Sequence, residues 1–178
     1  KFEYDGLSRL TKSFDNNTPN DNADDATVTN AYDSLGRVIE EIQNGKAISS
    51  QWDGDDNRLI LIYPNGRMIK TAYDKLDRID KIKTVGSTKN IVDYNYIGPA
   101  RILEKTYANG TRLSFLDDKR TKDIGYDKNR RPVMMRYLTN GNALVAGFKY
   151  HYDRADNMIS ETRLHEFRLP EADCASGL

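Results

Sequence analysis

The heptapeptide Tyr32-Asp33-Ser34-Leu35-Gly36-Arg37-Val38 decides how the rest of the chain is read. Its aromatic-aspartate pair recurs at Tyr4-Asp5, Tyr73-Asp74, Tyr126-Asp127 and Tyr152-Asp153, and Trp52-Asp53 fills a gap in the series. Five residues beyond the aromatic stand Arg9, Arg37, Arg78 and Arg131, and a degenerate unit at Tyr96 keeps the count with Arg101. An apolar residue usually follows: Leu10, Val38, Ile79, Ile102. The register loosens in places, since Tyr152 leads to Asn157 and Trp52 reaches an arginine one residue late, at Arg58. An aspartate in this position can bond backbone N–H groups just ahead of it, and the residue before the arginine, Gly36 here, is free to take positive φ. The heptapeptide therefore reads as a tight turn that feeds a strand.

A second mark runs out of phase with the first, in the pairs Asn44-Gly45, Asn65-Gly66, Asn109-Gly110 and Asn140-Gly141. Asn-Gly is the strongest short hairpin signal. From Trp52 to Tyr73, and from Asn44 to Asn65, the spacing is 21 residues. Two turns in that period leave two segments of about seven residues, close to the usual strand length of roughly 5–6. Each repeat is then one hairpin. Between turns the residues alternate as half-buried strands do, with Ile69, Thr71 and Tyr73 on one face and Phe148, Tyr150 and Tyr152 in a later unit. The expected fold is all-β, an array of antiparallel hairpins forming a twisted, curved sheet, with no helical periodicity in any stretch. The array is expected to span residues 1–163 as six or seven hairpins, with an irregular loop at 15–30 and an irregular tail at 164–178. Asp117-Asp118-Lys119-Arg120 stands where a Tyr-Asp turn is due, either as a decayed turn or as part of a longer excursion.

Composition suits that picture. Only 38% of the 178 residues are hydrophobic and 30% are charged, so the core is expected to be thin. Tyr outnumbers Phe by 11 to 5 beside a single Trp, which favours pleated surfaces that are half buried and half wet. The 27 basic and 27 acidic residues cancel, leaving no electrostatic footprint for nucleic acid or an anionic membrane. No apolar run approaches the roughly 20 residues of a helical membrane span, and the first residues carry no signal-peptide pattern. The lone Cys174 offers no internal disulfide.

The heptapeptide at 32 to 38, repeated in phase with Asn-Gly turns, resembles the YD or Rhs repeat, written YDxxGRL, over roughly residues 2 to 160. That family includes bacterial Rhs polymorphic toxins, C components of insecticidal toxin complexes, cell-wall-associated proteins and teneurins. The resemblance implies a segment of a spiral β-shell, built of hairpins joined into one sheet, often around a toxic C-terminal cargo. It implies as partners the remainder of the same shell and its cargo domain, and a secreted or cell-surface setting. The repeats have also been described as carbohydrate-binding. The tail at 164–178 does not match the cleavage region that ends an Rhs shell, so no autoproteolysis is carried over, and the chain is expected to be an excerpt of a much longer protein or a short product that must associate to cover its strand edges.

The expected function is accordingly a non-catalytic scaffold that encloses or presents a toxin or cargo domain. The alternative is a carbohydrate-binding surface module, whose candidate glycan contacts are Trp52, Tyr73, Tyr96, Arg37 and Arg78; a polysaccharide-degrading enzyme is a third option. The simpler reading of these residues is packing: each arginine lies across a neighbouring aromatic and pairs with an aspartate. Asp53, Asp55 and Asn57 imitate the start of an EF-hand loop, but Arg58 replaces the needed glycine and Pro64 the bidentate glutamate. Asp21, Asp24 and Asp25 are a weak Ca²⁺ candidate, and an acidic loop is more often merely solvated. No cofactor is expected. His151 and His165 lack a catalytic motif, and alternation puts His151 on the face opposite Tyr150 and Tyr152.

Overall fold

The computed structural model describes residues 1–15 and 25–164. These form fourteen strands and no helix: β1 (Phe2–Tyr4), β2 (Leu10–Asp15), β3 (Ala26–Tyr32), β4 (Val38–Gln43), β5 (Lys46–Trp52), β6 (Arg58–Ile62), β7 (Met68–Tyr73), β8 (Ile79–Thr84), β9 (Val92–Ile97), β10 (Arg101–Tyr107), β11 (Arg112–Ser114), β12 (Met134–Leu138), β13 (Leu144–Tyr152) and β14 (Met158–Leu164). They fall into two compact units, Lys1–Lys89 and the chain from Asn90 onward. Within the first, β1 to β8 pair antiparallel in sequence order. Within the second, β9 to β14 do the same. The expected array of antiparallel hairpins is the architecture of the chain.

Each unit has two kinds of turn, and they alternate. In the first unit the Tyr-Asp turns join β1 to β2, β3 to β4, β5 to β6 and β7 to β8. Each shifts the register by one residue just before the aromatic, as where Ala31 faces Glu40 but Tyr32 faces Val38. The cause is local. Gly36 N–H donates to the Asp33 carbonyl at 3.1 Å and Asp33 N–H to the Arg37 carbonyl at 3.0 Å, which is a type I turn closed by a bulge whose extra residue is left-handed. That residue is Gly36 at φ 85, and Ser8, Asp56, Asp77, Arg130 and Asp156 take the same place at φ 54 to 68.

The Asn-Gly turns close the opposite ends, but not all in one way. Asn44 and Gly45 are both left-handed, at φ 49 and 76, and form the two-residue hairpin the pair favours. At Asn65-Gly66 and Asn109-Gly110 the pair sits inside the longer bulged turn, and only the glycine is left-handed. At Asn140-Gly141 the left-handed residue is Asn142, at φ 70, one place later.

Two expectations need correction. Strand β3 begins at Ala26, inside the stretch 15–30 expected as loop, because the β-branched run Thr27-Val28-Thr29 pairs with β2 through Thr27–Phe14 and Thr29–Lys12. Asp21 and Asp24 lie outside the described residues, as do His165 and Cys174. The second correction concerns residues 115 to 133, which hold both alternatives at once. Asp117 makes a decayed turn, accepting from the amides of Thr121 and Lys122 at 2.7 and 3.1 Å, and the Asp127–Arg131 turn follows before β12.

The buried apolar residues among those described, Val92, Leu113, Phe115, Leu116 and Leu138, all lie in the second unit, two of them in this excursion. Phe115 stacks on Tyr126 with ring centroids 4.8 Å apart, and Gly125 lies so close that a Cβ there would meet Phe115 at 2.4 Å. On β10, Glu104 is 1% exposed, with Arg112 Nε 3.2 Å from one carboxylate oxygen and Arg120 on the other. The Arg112 contact is an ion pair without hydrogen-bond geometry. Arg136 ties the excursion down by donating to the Leu116 carbonyl and pairing with Asp118.

Candidate functional site: the ladder of Tyr-Asp turns

The five candidate contact residues, Trp52, Tyr73, Tyr96, Arg37 and Arg78, are all half-buried and belong to the Tyr-Asp turns or their flanking strands. Within a turn the aspartate does most of the bonding. Asp33 Oδ1 accepts from the amides of Leu35 and Arg37, both at 2.9 Å, and Oδ2 accepts from Arg37 Nε at 2.7 Å. Asp74 repeats the pattern, taking Arg78 through Nε at 2.8 Å and Nη2 at 2.6 Å. The EF-hand imitation dissolves here, because Asp53 is occupied by the amides of Asp55 and Asn57.

Successive turns are then bonded to one another. Arg9 Nη1 donates to the Asp33 carbonyl at 3.0 Å, and Arg37 Nη1 to the Asp53 carbonyl at 2.6 Å and to Asp56 at 3.0 Å. The aromatic of the later turn answers in the opposite direction. Tyr32 Oη donates to the Leu10 carbonyl at 2.8 Å, Trp52 Nε1 to Val38 at 3.0 Å and Tyr73 Oη to Arg58 at 3.2 Å. Between the two bonds the guanidinium lies on the ring, Arg9 over Tyr32 at 4.8 Å and Arg37 over Trp52 at 5.6 Å. The second unit builds the same contacts, with Arg101 over Tyr126 at 5.0 Å, Tyr126 Oη on the Ile102 carbonyl at 2.8 Å, and Arg131 reaching the Asp153 carbonyl at 3.2 Å.

One residue was misassigned by its neighbour. Arg58 is not the late arginine of the Trp52 turn; Asn57 holds that place. Its amide and side chain bond Asp53 at 2.9 and 3.1 Å, and its Nδ2 reaches Asp77 of the next turn at 3.0 Å. Asn157 does the same to Asp153. Counting five places from the aromatic, rather than looking for the nearest arginine, would have found Asn57.

The bonding fixes charge. Hydrogen bonds from the Arg78 side chain hold the Asp74 carboxyl below the ordinary carboxylate range, and the Arg9 amide does the same for Asp5. At Asp33 desolvation pushes the other way, but the Arg37 amide and guanidinium outweigh it; the Asp33 bond in turn raises Arg37. Tyr96 is stacked beside Tyr94, with ring centroids 6.2 Å apart. His151 lies opposite Ser160 across β13 and β14, with Nδ1 and Oγ 3.1 Å apart.

No protein-family model matches the sequence, and no curated protein matches it. Solved structures do match in fold. The Tc holotoxin pore of Photorhabdus luminescens aligns over 90% of this chain at 15% identity with a TM-score of 0.66. A TcdB2-TccC3 crystal structure aligns over 93% at 12% identity and a TM-score of 0.56, and a TcdB2-TccC3-Cdc42 structure over 90% at 12% and 0.54. The chain spans 9%, 8% and 7% of the lengths of those chains. The hairpin array is thus a fold shared with Tc toxin proteins, in agreement with the resemblance carried by the Tyr-Asp heptapeptides.

Proposed function

We propose that the chain is a non-catalytic structural segment of an exported YD-repeat protein, in which hairpins added in series build a wall that encloses or presents another domain. The observation that carries this reading is the ladder. Arg9, Arg37, Asn57 and Arg131 each hold the next turn, and Tyr32, Trp52, Tyr73 and Tyr126 each bond back to the strand before, so the contact can be repeated along a sheet edge. Repeat proteins draw stability from such nearest-neighbour contacts rather than from one central core. The groups that bonded glycans would need are already engaged, since Trp52 Nε1, Tyr73 Oη and Arg37 all serve the ladder. The fold shared with Tc toxin proteins supports a place in a large toxin assembly, with the rest of the shell and a cargo domain as partners.

Electron microscopy of the full-length product tests the reading. A hollow β-walled particle is the expected result, and a solid or elongated particle without a lumen would overturn it. A glycan array and a reducing-sugar assay on mixed polysaccharides separate the two other classes. Saturable binding that depends on Trp52, Tyr73 and Tyr96, or release of reducing ends, would assign the chain to one of them.

A further inference from the structure

We infer that the β7–β8 hairpin carries a docking site for an extended acidic peptide, formed by Lys70, Lys81 and Lys83. Lys70 and Lys83 stand directly opposite each other in the antiparallel pair, and Lys81 opposes Ala72 one step further along the same face. Side chains so placed have Cβ atoms about 4.5–5.5 Å apart, and like charges there weaken the sheet. Sheets normally put opposite charges at such positions. Here the row across β5 to β8 reads Gln51, Ile60, Lys70, Lys83, with no carboxylate in it. Lys81 has its neighbour Asp80 at 3.1 Å, whereas among the described residues neither Lys70 nor Lys83 has a carboxylate at ion-pair distance.

The three lysines do not splay into solvent independently. With Ala72 they line one shallow cavity of about 170 Å³. Lysine side chains offer apolar stems as well as charged ends to such a cavity. That volume is below the roughly 300–1,000 Å³ of sites that enclose a whole small molecule, and it suits single side chains of a longer ligand. Spacing selects the ligand class. Lys81 and Lys83 are two residues apart on one strand, about 6.8 Å, which is the repeat of same-face side chains in any extended peptide. An acidic peptide with carboxylates at alternate positions laid along β8 therefore meets Lys81 with one and Lys83 together with Lys70 with the next. Occupancy converts the repulsive pair into a shared contact. This inference does not depend on the proposed shell.

The test uses the whole chain and three labelled probes in fluorescence anisotropy: a peptide of alternating Glu and Thr, its Gln counterpart, and a sulfated oligosaccharide. The Glu peptide is expected to bind at least tenfold more tightly than the Gln peptide and to weaken as ionic strength rises from about 50 to about 300 mM, where the Debye length shortens. The double variant K70Q/K83Q is expected to lose tenfold or more in affinity while melting no lower than the parent, because it removes a like-charge pair. Lys83→Glu should melt higher and still not bind, whereas the exposed control Lys46→Gln should bind as the parent does. Equal affinity for the two peptides, unchanged binding by K70Q/K83Q, or binding of the sulfated oligosaccharide alone would each overturn the inference.

Discussion

At the residue scale the turn is governed by one aspartate and by the residue four places after it. Where that residue is arginine, as in Arg37, it serves its own aspartate, the next aromatic ring and the next backbone carbonyl together. Asn57 serves its own aspartate but reaches the next turn only at the Asp77 side chain. Asn57→Arg is therefore expected to raise the melting temperature by a few degrees, the usual yield of restoring a repeat's prevailing residue; a lower melting temperature in a differential scanning experiment would contradict the equivalence of positions 37 and 57. Gly36 is left-handed at φ 85, and a Cβ there would meet the Arg9 side chain at 3.9 Å, an ordinary van der Waals contact. Gly36→Ala meets no clash there, so its cost is the backbone strain alone, about 1–2 kcal/mol, and Gly36→Asn should cost less. Urea denaturation of the two variants measures both values. The Asp-Arg pairing was legible from spacing, because carboxylate and amide must meet four residues apart in such a turn. Asn57 was hidden because Arg58, one place on, imitates the expected residue in sequence but points its contacts elsewhere, with its guanidinium 6.0 Å from the Trp52 ring.

At the element scale the least legible part is the excursion between β11 and β12. In sequence, Glu104 looks like any charged residue alternating along a strand. Its burial comes from Arg112 on the neighbouring strand and from Arg120, 16 residues away, which arrives only when the Asp117 turn folds back. No local pattern announces that return, although the Asp117 turn itself could be read from its offset to Thr121. Two arginines around one buried carboxylate leave a charge that would be costly to uncover. Removing one partner of a buried ion pair costs about 3–5 kcal/mol, because the remaining charge stays desolvated. Glu104→Gln keeps the shape and removes the charge, so it is expected to destabilise by that amount. The loss should surpass that of Glu161→Gln, whose partner Arg163 is largely exposed. Chemical denaturation of the two variants side by side checks the ordering; equal losses would mean that the triad is solvated in solution.

Across the whole molecule, the 21-residue period and the two alternating turn signals were enough to fix hairpin order, since a short turn leaves antiparallel neighbours as the only pairing. What the period could not reveal is how unevenly the apolar interior is shared, because every repeat carries a similar alternation while the buried apolar residues described all lie between Val92 and Leu138. The rest of the array relies on the turns, and the turns rely on ionised aspartates. Asp5, Asp33, Asp53, Asp74, Asp127 and Asp153 all have their carboxyl groups held below the ordinary range in the folded chain. Their contribution to stability is thus fully present above the unfolded carboxylate range, about pH 4, where both states are ionised. As pH falls below that point the unfolded chain takes up protons first, and stability drops until the folded carboxyls are protonated too. The melting temperature is expected to be flat with respect to these groups from neutral pH to about 5 and to fall steeply between about pH 4 and 2. A variant with Asp33→Asn and Asp74→Asn should start lower and fall less steeply, since two of the six linked groups no longer titrate. Parallel slopes for parent and variant in calorimetric scans across that range would show that the acid sensitivity arises outside the ladder.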